Sequence, residues 1–213
     1  MTIRFEQVKP RYLEAVKIES SEVWNKPIDI KQGKHLHIVA PSGRGKTSLI
    51  HFLYGIRKDY DGNILMDDRA IRDLAIEELS SLRSSKVSII FQDLRLFPEH
   101  SAFQNIEVKR ALNPFHASSR IREMAGMLGI EAKLEKPLRT CSYGEQQRIA
   151  IIRALQQPFD VLLMDEPFSH LDEQNRQIAM KLISDEAVQR NATLILADLK
   201  KIDYFQADQI LHL

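Results

Sequence analysis

A chain of 213 residues with 44% hydrophobic and 28% charged side chains carries enough apolar material for a substantial core beneath an ordinary charged surface. Its 30 Lys and Arg balance 29 Asp and Glu to a formal net charge of +1, so no global electrostatic pull toward nucleic acid is expected. The single cysteine, Cys141, excludes an intrachain disulfide, and no run reaches the roughly 20 apolar residues of a membrane helix. Charges interrupt the first residues where a secretory leader is apolar, so the expectation is a cytoplasmic protein that reaches a membrane only through a partner.

Residues 3–8 alternate apolar and polar side chains as a half-buried strand does, and 15–18 and 28–30 read as shorter strands of the same kind. After the Gln32-Gly33 turn, 35–39 reads as a strand running into a glycine-containing loop, and 46–54 carries apolar residues at helical spacing. A turn and short strand are predicted over 59–68, a helix over 77–83 and an apolar strand over 87–91. Residues 102–155 are mainly helical, broken at Asn113-Pro114, Lys136-Pro137 and Tyr143-Gly144. Buried strands at 161–164 and 193–197 enclose a helix at 173–188. Strands alternating with helices at both ends predict an α/β fold with a mainly parallel sheet, and the helical block between them an insertion with a small core of its own.

Between the strand and helix of 35–54 lies Ala40-Pro-Ser-Gly-Arg-Gly-Lys-Thr-Ser48, which fits a phosphate-binding loop except that Ala40 stands where the first glycine is usual. Gly43 and Gly45 let the backbone curl until its N–H groups face phosphate oxygens, with Ser42, Arg44 and Ser48 in the same cradle. Lys46 is spaced to reach the β- and γ-phosphates of a nucleotide, and Thr47 to offer its hydroxyl to Mg²⁺. The helix beginning near Lys46 adds its positive dipole end. A plain Gly/Ser turn is the alternative, and the apolar strand and striped helix on either side favour the nucleotide.

Residues 161–166 place four apolar side chains ahead of two carboxylates. A buried strand delivers Asp165 to its end, where it can hold the Mg²⁺ shell, and Glu166 to where it can polarise a water facing the γ-phosphate. Acidic strand ends are common, so this pattern gains its weight from the phosphate loop upstream.

Together these motifs resemble the ABC ATPases. Gln92 follows the strand at 87–91 as that family's Q-loop glutamine does, and Cys141-Ser-Tyr-Gly-Glu-Gln-Gln-Arg148 is similar to the family signature LSGGQQQR. Asp165-Glu166-Pro167 resembles its second Walker motif and Ser169-His-Leu-Asp172 its D-loop. The resemblance implies a single domain over 1–213: a P-loop NTPase core at 1–95 and 155–213 that includes an N-terminal antiparallel β subdomain, and a helical subdomain at 96–154. It also implies ATP and Mg²⁺ as cofactors, with Thr47, Gln92 and Asp165 around the metal, in part through water. Glu166, Gln92 and residue 198 form the implied catalytic set. A head-to-tail dimer follows, with itself or a paralogous ATPase, in which Ser142, Gly144 and Glu145 face the γ-phosphate of the other subunit and Asp172 lies in the D-loop. A bare Ser-Tyr-Gly-Glu reads as a helix cap; its register with four other motifs favours the signature. Residues 91–106 further resemble the ATPases of lipoprotein-releasing and macrolide-type exporters and of a related cell-division complex.

The chain departs from that pattern at several points. Tyr143 replaces the first signature glycine, Glu145 the glutamine and Cys141 the leucine. Counting back from Ala207-Asp208 puts Asp198 where the family has a histidine on the γ-phosphate. A histidine can donate to phosphate, whereas an ionised aspartate only accepts and repels, so slow hydrolysis with largely intact ATP binding is expected. Tyr12 and Trp24 compete as the aromatic that stacks on adenine, each with core packing as the plain alternative. The seven histidines show no metal-ligand spacing and read as surface or structural. Leu94, Leu96, Phe97 and Phe103 line either a groove for a partner's helix or the core of the helical block.

The leading expectation is an ATPase subunit that powers a transporter by ATP-driven dimerisation, held peripherally on the inner face of the membrane by a permease subunit, with no nucleic acid involved. The alternative is a soluble ABC ATPase regulating cell division or acting on DNA or ribosomes, whose relatives generally carry a coiled-coil insertion or two tandem ATPase domains. A small-molecule kinase is disfavoured by the signature and by Glu166-Pro167.

Overall fold

The computed structural model describes residues 1–213. Strand β1 (Ile3–Pro10) lies between β2 (Ile28–Ile30) and β4 (Tyr60–Met66), and β5 (Arg69–Ala70) closes this antiparallel sheet in the order β2-β1-β4-β5. A second sheet is parallel throughout, in the order β6-β7-β8-β3-β9. Its strands are β3 (Leu36–Val39), β6 (Val87–Ile90), β7 (Val161–Asp165), β8 (Thr193–Asp198) and β9 (Gln209–His212). Helix α2 (Lys46–Leu53) follows β3, α3 (Ile76–Ser85) precedes β6, and α7 (Glu173–Arg190) joins β7 to β8. Helices α4 (Ala102–Leu112), α5 (Ser119–Met127) and α6 (Tyr143–Ala154) occupy the block between β6 and β7.

The period of two along a strand divides the core. On β7, Leu162 and Met164 face one hydrophobic cluster while Val161 and Leu163 face the other, and on β8 Leu194 and Leu196 oppose Ile195 and Ala197 in the same way. The first cluster joins these residues to Ile106, Ile121 and Met124 of the helical block and to Ile183 of α7. The expectation that the block has a core of its own is therefore modified: α4 and α5 pack on α6, but α6 also lies against β6, so that packing is continuous with the core on one face of the parallel sheet. The second cluster joins the other face to Phe52 of α2 and to Phe5 and Ile64 of the antiparallel sheet.

Residues 15–18 are not a strand. Helix α1 (Ala15–Glu19) forms there and buries none of its residues. Both edges of β1, the strand it leaves, are already taken by β2 and β4, so the segment cannot pair back on it, and Ala-Val-Lys-Ile-Glu forms a short helix instead.

A buried ionic joint ties the helical block to α7. Glu186, with its side chain fully buried, accepts from His116 Nε2 at 2.6 Å, Arg190 Nη1 at 2.6 Å and Arg120 Nη2 at 3.1 Å. Burial alone raises a carboxyl, but these three partners outweigh it and hold Glu186 at about 2.

Candidate nucleotide-binding site

The phosphate loop leaves β3 at Val39, and the Ala40 amide donates to the Asp198 carbonyl at 3.1 Å, fastening the loop to the end of β8. Gly45 caps α2 with φ of 101°, a left-handed conformation that glycine adopts without steric cost. Space demands glycine as well, since a Cβ there would stand 2.9 Å from Trp24 Cζ2. Trp24 is wholly buried and its Nε1 donates to the Arg44 carbonyl at 3.3 Å, so it forms the floor of the loop. The competition for the base is thereby narrowed: Trp24 belongs to the core, whereas Tyr12 is 48% exposed at the rim of the loop. The Arg44 guanidinium turns away to Ser20 Oγ at 3.1 Å, which leaves its backbone as the part facing a phosphate.

A cleft of about 220 Å³ gathers Tyr12, Ser42, Gly43, Gly45, Lys46, Thr47 and Ser48 with Gln92 and Glu166. Lys46 is buried and donates to the Ala40 and Pro41 carbonyls at 2.8 and 3.2 Å, with Glu166 Oε1 3.4 Å from its Nζ. Thr47 Oγ1 donates to Gln92 Oε1 at 3.3 Å, and Gln92 Nε2 reaches toward Glu166 Oε2 at 3.5 Å. The side chains from β3–α2, from the loop after β6 and from the end of β7 thus converge, although the chain separates them widely.

Asp165 is 1% exposed and neither carboxylate oxygen has a hydrogen-bond partner. Burial, with Glu166 beside it, pushes its carboxyl up to about 6. A buried carboxylate with no more than the neighbouring Thr47 hydroxyl to offset its charge is costly unless a cation satisfies it, and with Thr47 and Gln92 the donor set is all oxygen, which suits Mg²⁺. Glu166 has φ of 46°, uncommon for a non-glycine residue. The conformation is fixed from both sides, because its amide donates to the Ala197 carbonyl at 2.9 Å and its carbonyl accepts from Gln147 Nε2 at 3.3 Å. Gln147, buried on α6, also accepts from the His170 amide at 3.0 Å. Sequence reasoning missed this support; the only signal was the paired glutamines of the signature-like run.

Asp198 ends β8 and shares a cleft of about 430 Å³ with Glu166, Arg176, Lys200 and Lys201. Its Oδ1 accepts from the Leu199 amide at 2.6 Å, and burial with the nearby Glu166 raises its carboxyl above the ordinary value.

At the signature-like segment, Ser142 is the N-cap of α6 in a reciprocal capping box. Its Oγ accepts from the Glu145 amide at 3.3 Å, and Glu145 Oε2 accepts from the Ser142 amide at 2.8 Å. Glu145 is further held by Lys133 Nζ at 2.9 Å; burial works against its charge, yet these bonds lower its pKa. The Tyr143 ring lies against His170, with centroids 4.2 Å apart, and its hydroxyl donates to the Gln92 carbonyl at 3.3 Å. Asp172 caps α7, accepting from the Asn175 amide at 2.8 Å. Of the proposed groove residues, Leu94 is buried and Leu96 and Phe103 lie against the helical cluster, so these three serve the core. Phe97 alone of the four is exposed, at 49%.

The ABC transporter family profile matches residues 25–169. The molybdate/tungstate import ATP-binding protein of Pyrococcus horikoshii is 39% identical over 151 residues, 70% of this chain and 42% of that protein. The glucose import ATP-binding protein of Saccharolobus solfataricus is 31% identical across 87% of this chain and 54% of its own length. The chain thus spans about half the length of these relatives or less. The lipoprotein-releasing system ATP-binding protein of Syntrophotalea carbinolica is 34% identical, with 78% of this chain aligned to 75% of that one. A dimeric ATP-binding cassette solved in a post-hydrolysis state with ADP and Pi superposes with a TM-score of 0.80 at 25% identity, covering 93% of this chain and 88% of the other. On fold, motif order and these likenesses, the chain belongs to the ABC transporter family as one of its ATP-binding cassettes.

Proposed function

We propose that this chain binds and hydrolyses ATP with Mg²⁺ at the 40–48 loop to drive a transporter, as half of a head-to-tail cassette dimer docked on a permease. The observation that carries the reading is the convergence of Lys46, Thr47, Gln92 and Glu166 on one cleft beside two loop glycines, with the buried Asp165 next to Glu166 at the end of β7. Thr47 and Asp165 would hold the cation, with Gln92 nearby, and Mg²⁺ there would supply charge to offset that of the phosphates. Lys46 exchanges Glu166 for phosphate oxygens, which releases the Glu166 carboxylate to take a proton from the attacking water as the O–Pγ bond forms and the bond to ADP breaks. Gln92, within reach of both Thr47 and Glu166, orients that carboxylate. Asp198 adds negative charge where the developing anion needs donors, so turnover is slow.

Ser142 and the Gly144 amide reach the γ-phosphate held by the partner cassette. The Ser142 hydroxyl accepts from the Glu145 amide yet keeps its own proton, so capping and phosphate binding are compatible. The named relatives are ATP-binding subunits of import and lipoprotein-releasing systems, which supports a permease partner and a peripheral position on the cytoplasmic face of a membrane. No helix of the chain is long and apolar enough to cross a membrane.

The test uses the native complex isolated through this chain. Glu166→Gln is expected to keep ATP bound while hydrolysis falls by about 10² to 10⁴, the usual worth of a general base. Undiminished phosphate release from the purified variant would refute the assignment of Glu166.

A further inference from the structure

Arg57, in the loop after α2, has no role in any of the motifs above, yet its contacts meet at the rim of the nucleotide cleft. Its guanidinium grips Asp59 with two prongs, Nε to Oδ1 at 2.9 Å and Nη2 to Oδ2. The third arm, Nη1, donates to Ser48 Oγ at 2.9 Å. The guanidinium carbon lies 4.6 Å from the centroid of the Tyr12 ring, and the Tyr12 hydroxyl donates to that same Ser48 Oγ. The Arg11 amide donates to the Asp59 carbonyl at 3.1 Å, tying the residue before Tyr12 to the loop that carries Arg57.

These bonds determine two things. A planar cation fixed by a carboxylate fork backs the Tyr12 ring, while nearly half of Tyr12 remains exposed. The ring is thus held at its hydroxyl end by Ser48 and along its side by Arg57. Both lone pairs of Ser48 Oγ are filled by incoming donors, which leaves its own proton to give away, and a phosphate oxygen is the acceptor that suits it.

We propose that Arg57 is a positioning residue that holds the Tyr12 ring as a preformed stacking platform for the nucleotide's base above the phosphate loop. This inference rests on the reading of that loop as the ATP seat. A platform role differs from a charge role in a measurable way. A cation that merely adds field to the phosphates acts on every polyphosphate, whereas a support for the ring acts only on ligands that carry a base.

Calorimetry of the full chain with ATP and with inorganic tripolyphosphate, each with Mg²⁺, separates the two. Arg57→Ala is expected to weaken ATP about three- to tenfold, the scale of the one cation–π contact that supports the ring and at the low end of a full base–aromatic stack. Tripolyphosphate should change less than about twofold, since Asp59 already neutralises the cation and the Ser48 hydroxyl keeps its proton for phosphate without the Arg57 donor, and its retention shows that the loop remains folded. In a Tyr12→Ala background, Arg57→Ala should add no further ATP loss, because both substitutions remove one platform. Equal losses for ATP and tripolyphosphate, unchanged ATP affinity, or a full additional loss in the Tyr12→Ala background would each overturn the inference. A wild-type chain that binds neither ligand overturns the nucleotide reading and this inference with it.

Discussion

The two glycine-bearing loops of this chain are built by different means. In the 40–48 loop the backbone carries the shape: Gly43 and Gly45 take φ of 78° and 101°, and the side chain of Arg44 plays no part in the cradle. In the 141–145 segment the side chains carry it. Ser142 and Glu145 cap each other, Lys133 holds Glu145, and Tyr143 leans on His170 and the Gln92 carbonyl. Gly144 has an ordinary helical backbone and is small because a Cβ would meet the His170 carbonyl oxygen at 2.9 Å. One loop is specified by conformations only glycine adopts cheaply, with Trp24 beneath it, and the other by a local side-chain cap together with the more distant His170, Lys133 and Gln92.

The largest gain is expected at Asp198, outside both loops, where we propose that charge limits turnover. Asp198→His replaces an acceptor by a donor at the γ-phosphate end and should raise kcat in the assembled complex by on the order of 10², with a smaller change in ATP affinity. A flat or lowered kcat means that Asp198 does not stand where the family histidine does, or that a neighbour such as Arg176 already supplies the donor.

Two alanine substitutions then divide the loops. Gly45→Ala combines a left-handed φ with a clash against Trp24, at about 1–3 kcal/mol, and should weaken ATP binding to the isolated chain. Gly144→Ala pushes the signature off His170 and should leave that binding intact while lowering hydrolysis in the complex several-fold, within the same overpacking range of about 1–3 kcal/mol. Parallel losses of binding in both variants would erase the distinction between the loops.

The smallest effect on the nucleotide site itself is expected from a pH dependence of stability beneath the first loop. His37 on β3 is wholly buried with neither ring nitrogen partnered, and burial, then Lys201 and His212, hold it down to about 4 from an ordinary 6.5. Below 6.5 the unfolded chain takes up a proton that the folded chain refuses, so stability is complete above 6.5 and declines as pH falls toward 4. His37→Leu should flatten the melting temperature across that window, and an unchanged slope would assign the dependence elsewhere.

What the sequence disclosed follows the same division. The strand, loop and helix from β3 to α2 are legible to within a residue or two, because apolar runs and glycines there act locally. Asp165 and Glu166 were legible for a related reason, since a buried strand must deliver its last residues to one end of the sheet. Residues 15–18 misled because their fate depended on whether β1 had a free edge, which no local pattern records. The short edge strand β9, with little buried along it, gave too weak an alternation to be noticed. Trp24 and Tyr12 looked equivalent as aromatics, and only the fold puts one under the loop and the other at its rim. Leu94, Leu96 and Phe103 were ambiguous because a groove and a core ask for the same side chains. Gln147 and His170 act through a carbonyl and an amide, contacts that side-chain type does not encode.

Whether the 40–48 loop is the ATP seat is tested most directly by the emission of Trp24, the chain's one tryptophan and the floor of that loop. Titration with MgATP should shift its emission saturably in the wild type. The same titration of Lys46→Ala should show affinity reduced about ten- to a hundredfold, the worth of hydrogen bonds to charged groups. Saturable ATP binding by calorimetry that leaves Trp24 emission unmoved, or equal affinity in Lys46→Ala, would place the nucleotide elsewhere and contradict the site.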